Sequence, residues 1–533
     1  MKAPPWASLL LLTVGLTAAT ETPAATKPAG VRFRDAMIEL NLADPGYAWH
    51  GYHDAIVCAD WDQDGDVDLL VITSLHEKGP LGKQGRFYVN RLTETGKLAF
   101  EDRTEKLMPG GIQKQIFADS APFFFDVDAD GDLDLCVISD EIRPRTFLRK
   151  NGRFEVQKWG FSSQSCRVFD ADADGDLDVV GTDRGWLYRN DGNGRFTRSR
   201  YKPEPSGHMP RDKVLPTPPG IQGDDEVRQR AAASGHVYYA WHRLDLNGDG
   251  RGDYWLQLSK GYGFKLIRVY ASTEAGYKDI TKQTGLPTGV RMRFVPLRPG
   301  APLDAIAAGK HGAGIYLADG KGRFTPAGKS DASTIFGTVI GGCYAAPQVL
   351  VDFDNDGQVD IVTYQPRVGA ASAVLGALGE GRFATVLRTR ARSGQCVADF
   401  NNDGLIDVVA SEQTRGLHVW LNVTKPAGHW LQVVVRGLKQ NPFAVGSVVE
   451  AFRSGGSQRP NPPLAQATAP RNGLPVHLGL GNHAVVDLRI RFADGSTREV
   501  KDVKADRKIT VDAGAKPERS TALPPLDKMR SRR

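Results

Sequence analysis

A nine-residue acidic phrase recurs six times in this chain and constrains its fold more tightly than any other feature. It first reads Asp60-Trp-Asp62-Gln-Asp64-Gly65-Asp66-Val-Asp68. It returns as Asp126, Asp128, Asp130, Asp132 and Asp134 around Gly131, and as Asp170, Asp172, Asp174, Asp176 and Asp178 around Gly175. Three weaker copies follow: Asp245, Asn247, Asp249, Arg251 and Asp253 around Gly250; Asp352, Asp354, Asp356, Gln358 and Asp360 around Gly357; and Asp399, Asn401, Asp403, Leu405 and Asp407 around Gly404. Side-chain oxygens at positions one, three, five and nine, with the backbone carbonyl of position seven, can enclose one hard cation. The glycine at position six lets the chain turn sharply around it. Carboxylates packed this closely repel one another unless a cation lies between them. One such loop could be a solvated turn; six in register are not explained that way. Calcium is the favoured ion, because it accepts about six to eight oxygens in loose geometry where magnesium wants a strict octahedron. The expectation is about six calcium ions per chain.

The flanks say what carries these loops. An EF-hand needs Glu at position twelve, and here that position holds Val71, Val137, Gly181, Leu256, Thr363 and Ala410. Short β-branched runs, such as Ala55 to Ala59 and Leu69 to Thr73, place each loop at the tip of a β-hairpin. The loops start at 60, 126, 170, 245, 352 and 399. The longest interval spans two periods, and Pro296 to Asp304 within it is a decayed copy that keeps only the last Asp and should bind no ion. A second phrase, Leu187-Tyr-Arg-Asn190-Asp-Gly192-Asn-Gly194-Arg-Phe196, recurs loosely before Phe154, Phe324 and Phe383 and reads as an outer hairpin. The seventh unit lacks that outer strand after Leu421, and Val31 to Asp35 supplies it from the other terminus. The fold expected is all-β: a seven-bladed β-propeller with calcium-binding hairpin loops, closed by its N-terminal strand, plus a small C-terminal β domain.

The acidic hairpins resemble the FG-GAP and VCBS repeats of integrin-type propellers over residues 31–424. The remainder, with Gly428-His-Trp430, Arg436-Gly437, Val445-Gly446, His477-Leu-Gly479-Leu-Gly481 and Asp494-Gly495, resembles the ASPIC/UnbV domain over 428–512. The pairing is similar to the cartilage-acidic-protein-like family of secreted proteins. Two features depart from it: the family's Trp-Pro-x-Gly turn is Phe492-Ala-Asp494-Gly495, and Ser454 to Gly473 lacks its usual aromatic motif.

Outside these regions, residues 1–20 have the basic start, short apolar run and small-residue exit of a signal peptide, and 21–30 read as a linker. Residues 513–533 read as a basic disordered tail. The protein is therefore expected to be secreted, periplasmic or extracellular. No other apolar run is long enough for a stable membrane span. Five cysteines are no disulfide framework, although Cys58 and Cys396 fall on blades that become neighbours if the ring closes.

Enzyme signatures are sparse. No G-x-S-x-G nucleophile elbow occurs, and Gly328-Lys329-Ser330 lacks the glycine spacing of a phosphate loop. His50 and His53 could hold zinc but lack a third ligand. Arg251-Gly252-Asp253 spells an integrin-recognition tripeptide, yet Asp253 is the ninth position of a metal loop. The loops hold 25 of the 62 acids, so with their charge neutralised the 68 basic residues dominate the remaining surface. That balance suits an anionic glycan or an acidic extracellular protein; nucleic acid is not expected. Segments leading into the first strands would line the rim opposite the metal loops. They offer Trp49, His50, His53, Gln115, Asp119, Gln164, His236, Tyr239 and Arg392 as ligand-binding candidates, aromatic faces and polar tips that suit a sugar or peptide. The function expected is a calcium-binding adhesion or recognition module. The alternative is a lyase-like enzyme acting on an acidic glycan, with a base drawn from His50, His53 or Arg392.

Overall fold

The computed structural model describes residues 30–37, 39, 40, 42, 55–72, 85–110, 121–138, 144–157, 159–162, 166–171, 174–181, 186–200, 237–244, 246, 247, 253–260, 263–274, 276–287, 290–299, 301–308, 313–328, 331, 339, 340, 343, 344, 346–364, 372–389, 391–412, 416–455 and 463–514. Strands dominate these residues, and the two helices, Leu92–Thr95 and Thr104–Leu107, are single turns.

Seven four-stranded antiparallel sheets follow one another along the chain. The first consists of Ala55–Ala59, Asp68–Ile72, Gly85–Asn90 and Phe100–Asp102, each strand paired with the next. The next five repeat this meander within residues 121–156, 166–200, 237–279, 291–326 and 346–389. The seventh takes three strands from 391–422 and its fourth from the N-terminal end, where Phe33–Asp35 pairs antiparallel with Trp420 to Asn422. The missing outer strand is thus found where the sequence placed it. Aromatic residues mark the outer strands throughout: Phe33, Phe100, Phe154, Phe196, Tyr277, Phe324 and Phe383.

The second strands of the first, second and fifth units read as unbroken apolar runs after their leading Asp because both faces are covered. Asp68–Ile72, Asp134–Ile138 and Asp304–Ala308 are buried at every residue. Side chains from consecutive sheets share one core at each seam described: Leu70 and Phe87 with Phe124 and Phe147, Phe125 with Val179, Val269 with Ala305, Ile306 with Ile361, and Val362 with Val408. The first and seventh sheets also share one, in which Ile56, Leu69 and Val71 meet Phe400, Val409 and Val419.

Two further sheets form the C-terminal part. His429–Arg436 lies between Val476–Gly481, antiparallel, and Arg507–Asp512, parallel. Ala465–Thr468, Val448–Arg453, Val485–Arg491 and Thr497–Lys504 make the other, in that order. A common core that includes Leu431, Val433, Val449, Leu478, Leu488 and Ile509 joins them. Among the described residues no helix is long and apolar enough to cross a membrane.

Cys58, Cys136, Cys166 and Cys396 are free thiols; Cys58 and Cys396 sit in the core between the first and seventh sheets without a bridge. The sequence offers Asn422-Val-Thr424 as a glycosylation acceptor, but Asn422 is 1% exposed and donates to two carbonyls, which removes it from the surface.

Candidate metal centre

Each acidic loop joins the first and second strands of its sheet. In all five copies whose position-six glycine is described, that N–H donates to Oδ2 of the first aspartate, at 3.2 Å for Gly65 to Asp60, 2.9 Å for Gly131 to Asp126 and 3.0 Å for Gly175 to Asp170. Gly357 to Asp352 and Gly404 to Asp399 measure 2.7 and 2.8 Å. The N–H of position seven donates to the position-five carboxylate in each, from Asp66 onto Asp64 at 2.9 Å through to Leu405 onto Asp403 at 2.9 Å. Gly65 and Gly131 both lie at φ 93°, a conformation L side chains adopt only under strain. Five loops of differing composition therefore wind the same way.

This winding ties Oδ2 of the first carboxylate to backbone; Oδ1 takes a further backbone N–H in Asp126 and Asp399, from Asp130 and Asp403, and none in the other three. Asp60 Oδ1, Asp170 Oδ1 and Asp352 Oδ1 are buried without a donor, as are Asp128 Oδ1 and Asp68 Oδ2. Carboxylate oxygens converge to within 4.8 Å in three loops: Asp60, Asp62 and Asp64; Asp126, Asp128 and Asp134; and Asp352, Asp354 and Asp356. Buried acceptors with no donor are costly unless a cation satisfies them. The donor set is all oxygen, and it fits a hard divalent cation.

The electrostatics agree. Burial first, then the charges of Asp64 and Asp62, hold Asp60 up to about 7, against 3.8 for an ordinary aspartate. Burial also raises Asp126 to about 7 and Asp134 to about 9, and pushes Asp68, Asp352, Asp360 and Asp407 well above the carboxylate range. Burial thus disfavours the ionised form of these carboxylates, and neighbouring charge adds to it at Asp60, Asp68 and Asp352.

The position-seven side chains have other partners, although Asp66 also converges with Asp64 and Glu94 to within 4.8 Å. Asp66 accepts from Thr93 N and from Asn402 Nδ2, Asp132 pairs with Arg149 at 2.7 Å, and Leu405 is buried. Position nine has a second duty as a staple. Asp134 accepts from Val127 N at 2.9 Å and Arg149 N at 2.7 Å, which locks the loop to the third strand. Asp178, Asp253, Asp360 and Asp407 repeat that pair of bonds. For Asp253, fully buried in this role, the structural duty displaces any reading of 251–253 as a recognition tripeptide. Asp172, Asp245, Asp249 and Arg251 lie outside the described residues.

The degenerate fifth unit supplies a natural control. Asp304 keeps the third-strand half of the staple, accepting from Ala318 N at 2.9 Å, while Leu297 N turns to the Val295 carbonyl, and the Arg298 guanidinium donates to its two oxygens at 2.9 and 2.7 Å. Where the other acids are gone, a protein cation stands beside the one that remains.

Sequence reasoning missed the asparagines that end the third strands. Asn90, Asn190 and Asn422 each donate to the carbonyl of position eight in their own loop and to a position-two carbonyl of the neighbouring sheet: Phe400, Val127 and Phe353 respectively. Asn190 stood in the recurring outer phrase, but its second partner lies 63 residues away. Among the ligand-binding candidates, Trp49, His50, His53, Gln115, Asp119, Gln164 and His236 lie outside the described residues. Tyr239 and Arg392 are placed on first strands of the fourth and seventh sheets, with their side chains undescribed.

Residues 437–518 match the family described as ASPIC and UnbV. A comparison with curated proteins finds no match. Among solved structures, the chain is similar to a lectin of Agrocybe aegerita described as recognising non-reducing terminal N-acetylglucosamine, at 16% identity and a TM-score of 0.38, over 72% of this chain and 89% of that one. It is also similar to the extracellular domain of a one-component system from B. thetaiotaomicron, at 8% identity and a TM-score of 0.28, over 90% of this chain and 60% of that one. Likenesses this loose carry no argument about fold or ligand.

Proposed function

We propose that the seven four-stranded sheets are the blades of a closed β-propeller of the FG-GAP/VCBS type, and that six of them hold calcium in their acidic loops. The protein is then a secreted adhesion or recognition module for a glycan or an extracellular protein. One observation carries the metal reading: loops of different composition share one winding that leaves buried carboxylate oxygens without donors, while the unit that lost its acids answers its remaining Asp304 with Arg298. Cores shared from sheet to sheet, and between the first and the seventh, support a ring. Bound calcium supplies a cross-link between two strands of one blade. The chain's own residues orient the carboxylates and wall off the loops.

Recognition belongs to the opposite ends of the sheets. C-terminal residues rest on the loop-bearing ends, with Lys508 on Gly65 and Asn402 and Gln432 on Asp399. The first strand of the first sheet begins at the end remote from its loop, where Ala55 pairs with Ile72, and Trp49, His50, His53, Gln115, Asp119, Gln164 and His236 precede first strands in the sequence. Aromatic faces with polar tips suit saccharide or peptide, and the basic excess outside the loops favours an acidic ligand. A glycan array run with the full chain, beside a turnover assay on acidic polysaccharides, tests this. Saturable binding without turnover is the expected result; turnover would favour the lyase reading, and neither would remove both.

A further inference from the structure

Strand His429–Arg436 runs against the loop at 399–407, which has only three acids. Gln432 is 3% exposed, and its Nε2 donates at 2.8 Å to Asp399 Oδ2, the oxygen that also takes the Gly404 N–H. Trp430 closes over the same turn: a Cβ on Gly404 would fall 2.0 Å from the indole. Lys508, on the strand paired in parallel, donates to Asn402 Oδ1 at 2.8 Å and to the Gly65 carbonyl at 3.2 Å, which spans the loops at 399 and 60. In the loop at 352, Gly479 lies so close that a Cβ would fall 1.7 Å from Asp352 Oδ2, and Gly481 N donates to the Asn355 carbonyl at 3.2 Å.

The position-six N–H holds Oδ2 of the first aspartate in every described loop, and in the 399–407 loop Oδ1 also accepts from Asp403 N at 3.0 Å, from within the loop. A second donor on Oδ2 fixes the tilt of the carboxylate and hence the direction of Oδ1. Partners of this kind, one bond removed from a metal, typically change its affinity by about 10–100-fold when removed. Gln432 supplies that donor in a loop whose own acids are few, and it does so from the C-terminal sheet.

We propose that Gln432 is a positioning residue for the cation of the 399–407 loop, so that docking of the C-terminal sheets and occupancy of that loop are linked. The inference rests on the calcium reading above. Linkage is reciprocal: filling the loop tightens the docking, and loosening the docking weakens the loop by the same factor.

The test is calcium titration of the full chain, by calorimetry and by competition with a chromophoric chelator, for the wild type and for Gln432→Met, which keeps the length and removes the donor. Affinity at one site should fall about 10–100-fold with the other sites unchanged. Hydrogen exchange of the wild type provides a readout that needs no variant. Exchange over 429–436 should rise on chelation, with the calcium dependence of the 399–407 segment. A wild type that binds calcium, with every affinity retained in Gln432→Met or exchange over 429–436 indifferent to calcium, overturns the proposal. Equal weakening of all sites also overturns it, since that reports general destabilisation. A wild type that binds no calcium overturns the calcium reading itself, and this inference with it.

Discussion

Asn90 donates its side-chain amide to the Phe400 carbonyl at 2.9 Å, across 310 residues of sequence. The bond joins the first four-stranded sheet to the seventh, and Asn422 makes its counterpart from the seventh to the sixth through the Phe353 carbonyl at 2.8 Å. Both asparagines are almost fully buried. Each satisfies two carbonyls that would otherwise face apolar surroundings.

Asn90→Ala should therefore lower stability by about 1–3 kcal/mol, the cost of leaving buried acceptors unpaired. Asn90→Asp should cost more, because an ionised carboxylate would face the Val67 and Phe400 carbonyls with nothing to donate. Thermal melts of the two variants check the order; a melt unchanged in both would remove the asparagine from any role in the seam.

Strand Phe33–Asp35 pairs with Asn422 to Trp420, Ala36 N donates to the Val419 carbonyl at 2.8 Å, and Val31 is buried against the core of the sixth and seventh sheets. Deleting residues 1–36 should lower the melting temperature far more than deleting 516–533, which leaves every described contact in place. The deletion also exposes the edge of the seventh sheet, so aggregation should accompany the loss. Equal melting temperatures would contradict closure by this strand.

In the fifth unit, Arg298 is the partner of a fully buried Asp304. Arg298→Met should destabilise by about 3–5 kcal/mol, the usual cost of stripping one partner from a buried pair. Added calcium should not restore it, because the unit has no other carboxylate at its ligand positions. Recovery in calcium would mean that Asp304 alone can recruit the ion.

The crowded loops also set a pH dependence, and its sign separates calcium-free from calcium-loaded protein. Burial and neighbouring charges hold Asp60 and Asp126 up to about 7, and burial holds Asp134 up to about 9, in folded protein without the ion. These values lie above the ordinary 3.8 of the unfolded chain, so the folded form binds the extra protons. The stability they confer is full below about pH 4 and is lost as pH rises through the raised values. Chelated protein should therefore melt at progressively lower temperature from about pH 5 to 8, while calcium-saturated protein should not. Parallel slopes in the two states would contradict the crowding argument.

How far the sequence discloses this molecule depends on how local each feature is. The acidic loops and most of the apolar second strands are legible because local spacing dictates them, and the displaced outer strand at Phe33 because the seventh unit visibly lacks one after Leu421. Phe33, Phe100 and Phe383 mark outer strands by local spacing too. Asn90, Arg298 and Gln432 were opaque: their roles depend on a partner across a sheet seam, on what replaced lost acids, and on a strand of the C-terminal sheet lying over Asp399. Asn422 shows the converse, a surface motif by spelling that packing has taken inside. Trp49, His50, His53, Gln115, Asp119, Gln164 and His236 lie outside the described residues.

The central claim is that six loops each hold one calcium ion. Elemental analysis of the full chain, equilibrated with calcium and freed of excess, tests it directly. The account predicts six ions per chain, none of them in the 296–304 unit, and a large fall in melting temperature on chelation. Two ions or fewer, or a melt indifferent to chelation, would contradict it.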